Sequence, residues 1–450
     1  MCLYLNFKGG GQVKRIKYAF LCTAAALCFL LCGCEAFTTD TAELLSPPAL
    51  SGDIAPIAAA IKASAGGEYT LKYPTKGNYR SAVVQNDVNA DGVLEAFAFY
   101  SRNENNTQTI YINVICKQGG KWVSCTQMGM NAGGIDRIDF YDLDGDGAEE
   151  ILVGWEIYGT SEMQLAVYSF KNNTLTQRTL QKYSNFVCCD INEDGLGEVL
   201  IIDFNSSEQR NSAAVYNLGN NGLNMLYFCE LDRTVKSIND PVVSTLSSGK
   251  PAVYIDEIKG IGAVTEVLFV EKNLLMNPLL NSESRETVAT LRSAGYSVKD
   301  INGDGIVEIP VQESVPSLTD SGNGEKLYLT NWCSYNGETL TNQVTAMIND
   351  TDGYYYTISS KWAGQIAVLK DASAHLREIY SYDSASGMPG NMLVSFMTVK
   401  KSDWDAGKYK NKGYSEITHD GISSYLCKIG KGAGEEITEE DVRKNFKLID

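Results

Sequence analysis

Histidine is the scarcest chemically active residue in this 450-residue chain, which contains only His375 and His419. Two histidines leave no cluster that would hold zinc and little room for a catalytic triad built on imidazole. The sequence also lacks a Gly-x-Ser-x-Gly nucleophile motif, a phosphate-binding Walker loop and a dinucleotide-binding fingerprint. From these absences we predict no catalytic residues and no nucleotide cofactor, and we expect a protein that is not an enzyme.

Positive charge is also in short supply. Lys and Arg number 38 against 55 Asp and Glu, which gives a formal net charge of −17. Nucleic acids and anionic lipid surfaces attract basic proteins, so this balance argues against nucleic acid as a partner and against charge-driven membrane binding. With 44% hydrophobic and 10% aromatic residues, the chain is too apolar to be disordered, and it is long enough to bury more than one core.

A long apolar run lies near the N-terminus. Residues 18–31 (YAFLCTAAALCFLL) follow a segment whose charges are all positive, and Cys32-Gly33-Cys34 comes next. A run of this length is typical of a signal sequence and short for a membrane span. The tetrapeptide Leu-x-Gly-Cys resembles a bacterial lipobox, which implies cleavage before Cys34 and lipid on that residue. An ordinary secretory signal and a membrane anchor are the alternatives.

These features divide the N-terminal region. We expect a signal peptide over residues 1–33, a lipidated tether over 34–51, and a short helix and strand over 52–78 that lead into the main fold. Lipid on Cys34 would attach the protein to the cell membrane, facing the extracellular side.

Cysteine spacing does not indicate a disulfide framework. Seven cysteines follow Cys34, an odd number, and they form no Cys-x-x-Cys pair. Cys116 and Cys125 flank Gly119-Gly120, so a bond between them stays open, with buried free thiols as the alternative.

One nine-residue pattern, Asp-x-Asp/Asn-x-Asp-Gly-x-x-Glu, occurs four times. Oxygen-bearing side chains at positions 1, 3 and 5 converge on one cation if the backbone winds tightly, and glycine at position 6 permits that winding. A backbone carbonyl near position 7 and the Glu at position 9 would complete the oxygen shell that Ca²⁺ prefers. We therefore predict up to four Ca²⁺ ions. The predicted ligands are Asp87, Asn89, Asp91 and Glu95; Asp142, Asp144, Asp146 and Glu150; Asp190, Asn192, Asp194 and Glu198; and Asp300, Asn302, Asp304 and Glu308.

Other interpretations of the pattern fit less well. Magnesium usually keeps several waters, and acidic turns without metal would place mutually repelling carboxylates together. EF-hand and dockerin loops resemble the first six positions. An EF-hand, however, places its bidentate acid at position 12 between helices, whereas strand-like residues follow position 9 here, as in 150–155 (EILVGW).

The spacing of the loops predicts the architecture. The interval between the third and fourth loops is about twice the others, and residues 248–256 (SGKPAVYID) repeat the glycine and strand without the acidic ligands. Each unit has the pattern of four antiparallel strands with Asn/Gly turns, the signature of a β-propeller blade. We expect a mainly β protein, with a propeller of about five four-stranded blades over residues 79–347 and a small α+β domain of unknown function over 348–450.

The four loops, each followed by a β-strand, resemble the FG-GAP/VCBS-type repeats of integrin-like propellers. The resemblance covers residues 79–347, lacks the Phe-Gly and Gly-Ala-Pro elements, and implies calcium loops that hold each blade rigid. Together with the lipobox and residues 73–82 (YPTKGNYRSA), the loops resemble bacterial lipoproteins of an uncharacterised Gram-positive group.

These features favour one function over two others. We expect a lipid-anchored cell-surface protein whose propeller presents a binding surface for protein or glycan, without catalysis. The alternatives are a glycan-active envelope enzyme, a lyase or hydrolase, on a propeller scaffold, and an accessory subunit of an envelope complex.

Overall fold

The computed structural model describes residues 54–104, 107–205, 207–318, 326–433 and 437–449. The predicted signal peptide, the tether and Cys34 lie outside the described residues. The first described element is helix α1, Ile54–Ala65, whose alanine-rich sequence IAPIAAAIKASA favours a helix and places Pro56 in the first turn, where it is tolerated. None of the helices in the described ranges has the length and apolar character needed to cross a bilayer.

The described residues that follow form six antiparallel sheets, all within the unit that begins at Ile61. In sheets 1 to 3 the strands run largely as meanders, although the two first strands of sheet 1 both pair with its third. Sheet 1 comprises β1 (Thr70–Leu71), β2 (Val83–Asn86), β3 (Glu95–Glu104), β4 (Thr107–Gln118) and β5 (Lys121–Met130). Sheet 2 comprises β6 (Ala132–Tyr141), β7 (Glu150–Ile157), β8 (Met163–Lys171) and β9 (Thr174–Tyr183). Sheet 3 comprises β10 (Asn185–Cys189), β11 (Glu198–Asn205), β12 (Arg210–Gly219) and β13 (Gly222–Glu230).

Sheets 4 to 6 are less regular. Sheet 4 comprises β14 (Ser237–Ile238), β15 (Val242–Thr245), β16 (Pro251–Lys259), β17 (Gly262–Glu271), β18 (Leu274–Met276) and β19 (Arg292–Ser293). Sheet 5 comprises β20 (Ile309–Val315), β21 (Leu327–Tyr335), β22 (Leu340–Asn349), β23 (Tyr354–Ile358) and β29 (Phe446–Leu448). Sheet 6 comprises β24 (Ile366–Asp371), β25 (Leu376–Asp383), β26 (Met388–Lys400), β27 (Ser415–His419) and β28 (Ser423–Ile429), and two short helices, α2 (Lys401–Asp405) and α3 (Glu439–Asn445), lie in the same part of the chain.

Neighbouring sheets along the chain share hydrophobic cores. Ile151, Val153 and Trp155 of β7 pack with sheet 1, whereas Leu152 packs with sheet 3. Strands with both faces buried are apolar at consecutive positions, which explains runs such as EILVGW. The cores are represented by Phe97 and Trp155 between sheets 1 and 2, Leu152 and Ile201 between 2 and 3, Leu200 and Ile255 between 3 and 4, Tyr254 and Ile309 between 4 and 5, and Tyr354 and Phe396 between 5 and 6.

The predicted mainly β class with antiparallel strands is confirmed. The number of sheets is greater than the predicted number of blades, because residues 366–429 form a sixth sheet in the region where we expected an α+β domain. The predicted boundary at 347/348 also lies inside β22. Sheet 5 takes β23 and β29 from beyond that boundary, since the Phe446 ring stacks on Tyr354 with their centroids 4.8 Å apart. The propeller itself stays a prediction.

All seven cysteines in the described ranges are free thiols. Cys116 and Cys125 lie on the neighbouring strands β4 and β5, and the Cys125 sulfur accepts a hydrogen bond from Gln118 Nε2 at 3.4 Å. Of the two alternatives, a disulfide between Cys116 and Cys125 or free thiols, the structure has free thiols.

Candidate functional site

The four predicted calcium loops occupy equivalent places in their sheets. We name them loop 1 (87–95), loop 2 (142–150), loop 3 (190–198) and loop 4 (300–308). Loops 1 to 3 connect β2 to β3, β6 to β7 and β10 to β11, and loop 4 leads into β20 and is closed by a bridge between Lys299 and Glu308. The equivalent turn in sheet 4, between β15 and β16, has no acidic residue, as the sequence indicated.

All four loops wind in the same way. The position-1 carboxylate accepts a hydrogen bond from the position-6 glycine N–H, at 2.9, 3.0, 3.0 and 2.8 Å in loops 1 to 4. The position-5 carboxylate accepts from the N–H of position 7 at 2.8, 3.0, 2.9 and 2.8 Å. The position-6 glycines all have φ between 83° and 87°, a conformation that favours glycine. The backbone thus turns the acidic side chains inward, as cation coordination requires.

The position-9 glutamates form the floor of each loop. Their exposures are 3% for Glu95, 1% for Glu150 and Glu198, and 0% for Glu308. In loops 2 to 4 this carboxylate accepts the position-2 N–H at 3.1, 3.1 and 3.0 Å. Burial, together with nearby aspartate charges, raises the pKa of Glu95 and of Glu198 to about 7. Buried carboxylates of this kind are stabilised when a cation is bound beside them.

Loop 2 brings three carboxylates close together. Asp142, Asp144 and Asp146 each offer an oxygen within 4.8 Å of the others, and the Asp144 Oδ1 atom is buried without a hydrogen-bond donor. Lys171 contacts Asp146, and Arg178 Nη1 lies 3.6 Å from Asp144 Oδ2. These cations offset the additional charge of Asp144, which replaces the Asn found at position 3 in the other loops. An Asp-rich cluster of oxygen ligands therefore fits a metal ion, and the ligand class is that of Ca²⁺.

A second group of charged side chains lies on one face of β6. Ile135 and Ile138 of this strand both pack into the core, although residues three apart point to opposite faces of a regular strand. A β-bulge accounts for this, because Ile135 pairs with Trp155 and Arg137 pairs with Gly154, which leaves Asp136 as the extra residue. Arg137 and Asp139 therefore lie on the strand face opposite the core between sheets 1 and 2, and Asp136 lies beside them.

Side chains from distant segments complete this group. Tyr183 donates to Asp136 Oδ2 at 2.7 Å, and the Lys76 ammonium lies 3.1 Å from Asp136 Oδ1. Arg137 Nη2 donates to Asp240 Oδ1 at 2.8 Å. We name Lys76, Asp136, Arg137, Asp139 and Asp240 the charged cluster.

The charged cluster extends from the interior to solvent. The side chains of Asp136 and Arg137 are 2% and 7% exposed, whereas those of Lys76 and Asp240 are 46% and 55% exposed. Burial raises the pKa of Asp139 to about 6, with Asp136 and Asp240 adding to the rise and Arg137 opposing it. Burial also raises the pKa of Asp240, but hydrogen bonds and the Arg137 charge outweigh it, so the net shift is downward. Two carboxyl groups of different acidity therefore flank one guanidinium, an arrangement found where protons are transferred.

The spacing of the motif predicts all sixteen loop residues as ligands, and their role stays a prediction, whereas the charged cluster was not predicted. The separation of Ile135 and Ile138 by three residues is a sign of a bulge that the sequence itself contains. No sequence pattern connects β6 to Lys76 or Asp240, because those contacts depend on how the sheets pack.

No family model matches this chain, and no curated protein sequence matches it. Among solved structures, the rhamnogalacturonan lyase YesW is 11% identical, with a TM-score of 0.31 over 71% of this chain and 76% of that one. A Bacillus licheniformis rhamnogalacturonan lyase is 13% identical, with a TM-score of 0.33 over 72% and 77%. An exo-β-1,3-galactanase from Phanerochaete chrysosporium is 9% identical, with a TM-score of 0.26 over 74% and 79%.

These findings correct one expectation from the sequence. We predicted a protein without enzymatic activity, whereas the similar structures are two rhamnogalacturonan lyases and an exo-β-1,3-galactanase. The prediction rested on missing histidine and serine motifs, and carboxylate-based catalysis needs neither. At these TM-scores the likeness transfers no substrate, mechanism or catalytic residue to this chain.

Proposed function

We propose that the protein is a calcium-dependent, glycan-active enzyme of the cell envelope, a lyase or hydrolase. The observation that carries this proposal is the charged cluster, in which the bulge at Asp136 places the half-buried carboxyl of Asp139 beside Arg137. Its scaffold is a β-propeller, and lipid on Cys34 holds it on the outer side of the membrane.

Repeated packing supports the propeller. Sheets that follow one another in the chain share cores. Loops 2 and 3 join the first two strands of their sheets in the manner expected of blades, and loop 1 joins the second and third strands of sheet 1. A sixth sheet raises the expected number of blades from about five to six.

Calcium has a structural role in this proposal. Loops 1 to 4 direct carboxylates inward, and bound Ca²⁺ would be held by their positions 1, 3, 5 and 9 and would offset their mutual repulsion. Loop 2 directly follows β6, so order in this loop fixes the end of the strand that carries Asp139.

The residues of the charged cluster have different roles in the proposed reaction. Asp139 transfers the proton, because a carboxyl group with a pKa of about 6 can both hold and release a proton near neutral pH. Arg137 holds Asp136 and Asp240 in place and keeps a positive charge beside the reacting group. In a lyase Asp139 would remove a carbon-bound proton, and in a hydrolase it would protonate the leaving oxygen.

The test is an activity assay with Asp139→Asn. The mature protein with Ca²⁺ is incubated with rhamnogalacturonan, with β-1,3-galactan and with cell-wall glycans, the first two being the glycans named for the similar structures. A lyase releases unsaturated, ultraviolet-absorbing ends, and a hydrolase releases reducing ends without them. We expect Asp139→Asn to lower kcat by about 100-fold or more, since removal of an acid–base group has effects of that size.

Asp203→Asn is the matched control, because Asp203 is an exposed strand aspartate outside the charged cluster. It should keep full activity. Turnover by Asp139→Asn equal to that of the wild type would place the chemistry elsewhere, and no product from any glycan would overturn the enzymatic proposal.

A further inference from the structure

Sheet 4 contains two buried glutamates outside the calcium loops and the charged cluster. Glu257 of β16 and Glu266 of β17 both have no solvent exposure. Glu257 pairs with Val264 and Ile255 pairs with Glu266, so the two glutamates are diagonal neighbours on one face of the sheet. Their carboxyl groups lie within hydrogen-bonding reach of each other.

The two carboxyl groups differ in their hydrogen bonding. Asn277 Nδ2 and Thr287 Oγ1 donate to Glu266 Oε1 at 2.8 and 3.0 Å, and the Asp232 N–H donates to Oε2 at 3.0 Å. In contrast, both Glu257 oxygens are buried without a donor among the described residues, and so is Asn277 Oδ1. The three unsatisfied atoms are all oxygens with free lone pairs, and such oxygens are the ligands that a cation needs.

The charge balance points the same way. The ammonium of Lys259 lies 2.8 Å from Asp232 Oδ2 and 2.9 Å from Glu286 Oε2, so two other carboxylates already share it. Within the described ranges, no ion pair reaches Glu257 or Glu266. Two buried carboxylates without a paired cation are strongly destabilising unless a proton or a metal neutralises them.

We propose that sheet 4 binds one divalent cation, with Ca²⁺ favoured by the all-oxygen ligands, at Glu257, Glu266 and the Asn277 amide oxygen. This site differs from the four loops in position as well as in sequence. The loop-equivalent turn of sheet 4 precedes Pro251 at the start of β16, whereas Glu257 lies near the other end of that strand. Sheet 4 would thus carry a cation although it has no acidic loop.

The competing occupant is a proton shared by the two glutamates. It would neutralise one carboxyl group and satisfy one of the unpartnered acceptors. A cation neutralises both carboxylates and can be bound by the oxygens of all three side chains, and for that reason it accounts for more of the structure.

The test compares metal content in the wild type and Glu257→Gln. Each full mature protein is dialysed to equilibrium against buffered Ca²⁺, and bound calcium per chain is measured by elemental mass spectrometry. We expect the variant to bind one Ca²⁺ fewer, however many ions the loops hold. Glu271→Gln, an exposed site on β17, should lose none. Combining Glu257→Gln with Asp304→Ala should remove one more ion than Asp304→Ala alone.

Equal calcium content in the wild type and Glu257→Gln would overturn the proposal in favour of the shared proton. If Glu257→Gln does not fold, wild-type crystals soaked in Tb³⁺ provide the second measurement. An anomalous peak between Glu257 and Glu266 supports the cation site, and no peak there overturns it. Neither measurement depends on glycan activity.

Discussion

The charged cluster depends on the absence of one side chain. A Cβ atom at Gly154 would lie 2.0 Å from the Tyr183 hydroxyl and 3.3 Å from Asp136 Cβ. Glycine therefore lets Tyr183 reach Asp136, which in turn is bound to Arg137. Asp139, on the same strand, has no hydrogen-bond donor among the described residues, and its carboxylate is correspondingly hard to ionise.

Asp139→Asn should change how the free energy of unfolding depends on pH. Folding raises the pKa of Asp139 from an ordinary 3.8 to about 6. The folded state binds the proton more tightly, so Asp139 lowers the free energy of unfolding as pH rises from about 4 to 6. The neutral asparagine avoids this loss, and the variant should be more stable than the wild type at pH 7 by at most about 3 kcal/mol.

Urea denaturation at pH 4 and pH 7 measures this effect. The stability gain should shrink toward zero at pH 4, where the aspartate is protonated in the folded state. Asp203→Asn is the control and should show no such change with pH. A gain in Asp139→Asn that is equal at both pH values would mean that ionisation of Asp139 is not its source.

At the residue scale, sequence spacing determines geometry only where the interacting residues are close together in the chain. Positions 1, 5 and 6 of loop 4 lie within six residues, and the N–H groups of Asp304 and Gly305 both donate to the Asp300 carboxylate, as the predicted tight winding requires. Glu257 and Glu266 gave no such signal, because each stands in an apolar strand and their proximity depends on the register of β16 and β17.

At the scale of elements, the end of the described chain combines a helix set by local sequence with a strand set by packing. Thr438 caps α3, because its hydroxyl accepts the Asp441 N–H at 3.2 Å while the Thr438 N–H donates to Asp441 Oδ2 at 3.0 Å. This helix was predictable from the local sequence, in which a capping threonine precedes acidic residues in the first turn. The pairing of β29 with β23 was not, because Phe446 finds its partner Tyr354 about ninety residues away in sequence.

Phe446→Ala should therefore weaken the junction of sheets 5 and 6. The Phe446 side chain is 5% exposed and contacts Tyr354, Phe396 and Tyr425. Its truncation removes buried surface and leaves a cavity, at a cost of about 3 kcal/mol or more. Urea denaturation measures the loss, and hydrogen exchange of β23 amides should become faster.

Lys447→Ala is the control on the same strand, since Lys447 is exposed. It should change the free energy of unfolding by less than about 0.5 kcal/mol. Equal stability losses in Phe446→Ala and Lys447→Ala would show that backbone pairing of β29, and not the aromatic contact, holds the strand.

For the whole molecule, calcium should act on stability through several sites at once. The chain carries a net charge of −17, and the four loops concentrate carboxylates at short range. Ligands that bind only the folded state stabilise it by about 2.7 kcal/mol per site at 100 times Kd. We expect the melting temperature to rise with Ca²⁺ concentration and to fall in excess chelator, as measured by calorimetry.

Magnesium serves as the comparison ion at the same concentrations. It should give a smaller rise, because it gives up its water shell reluctantly and requires closer octahedral geometry. Identical melting curves in calcium and in chelator would contradict calcium binding by the loops.

Packing between sheets does not depend on the acidic loop in this fold, as sheet 4 shows. The turn between β15 and β16 has no acidic residue, yet Ile255 and Tyr254 of sheet 4 supply the cores on its two faces. Substitutions in the two packing faces should therefore be tolerated less well than substitutions in the loop. A repeat can drift away from its metal motif over evolutionary time and remain in the array, whereas a repeat that loses a packing face disrupts both neighbours. Relatives of this chain should accordingly vary more in their number of loops than in their number of sheets.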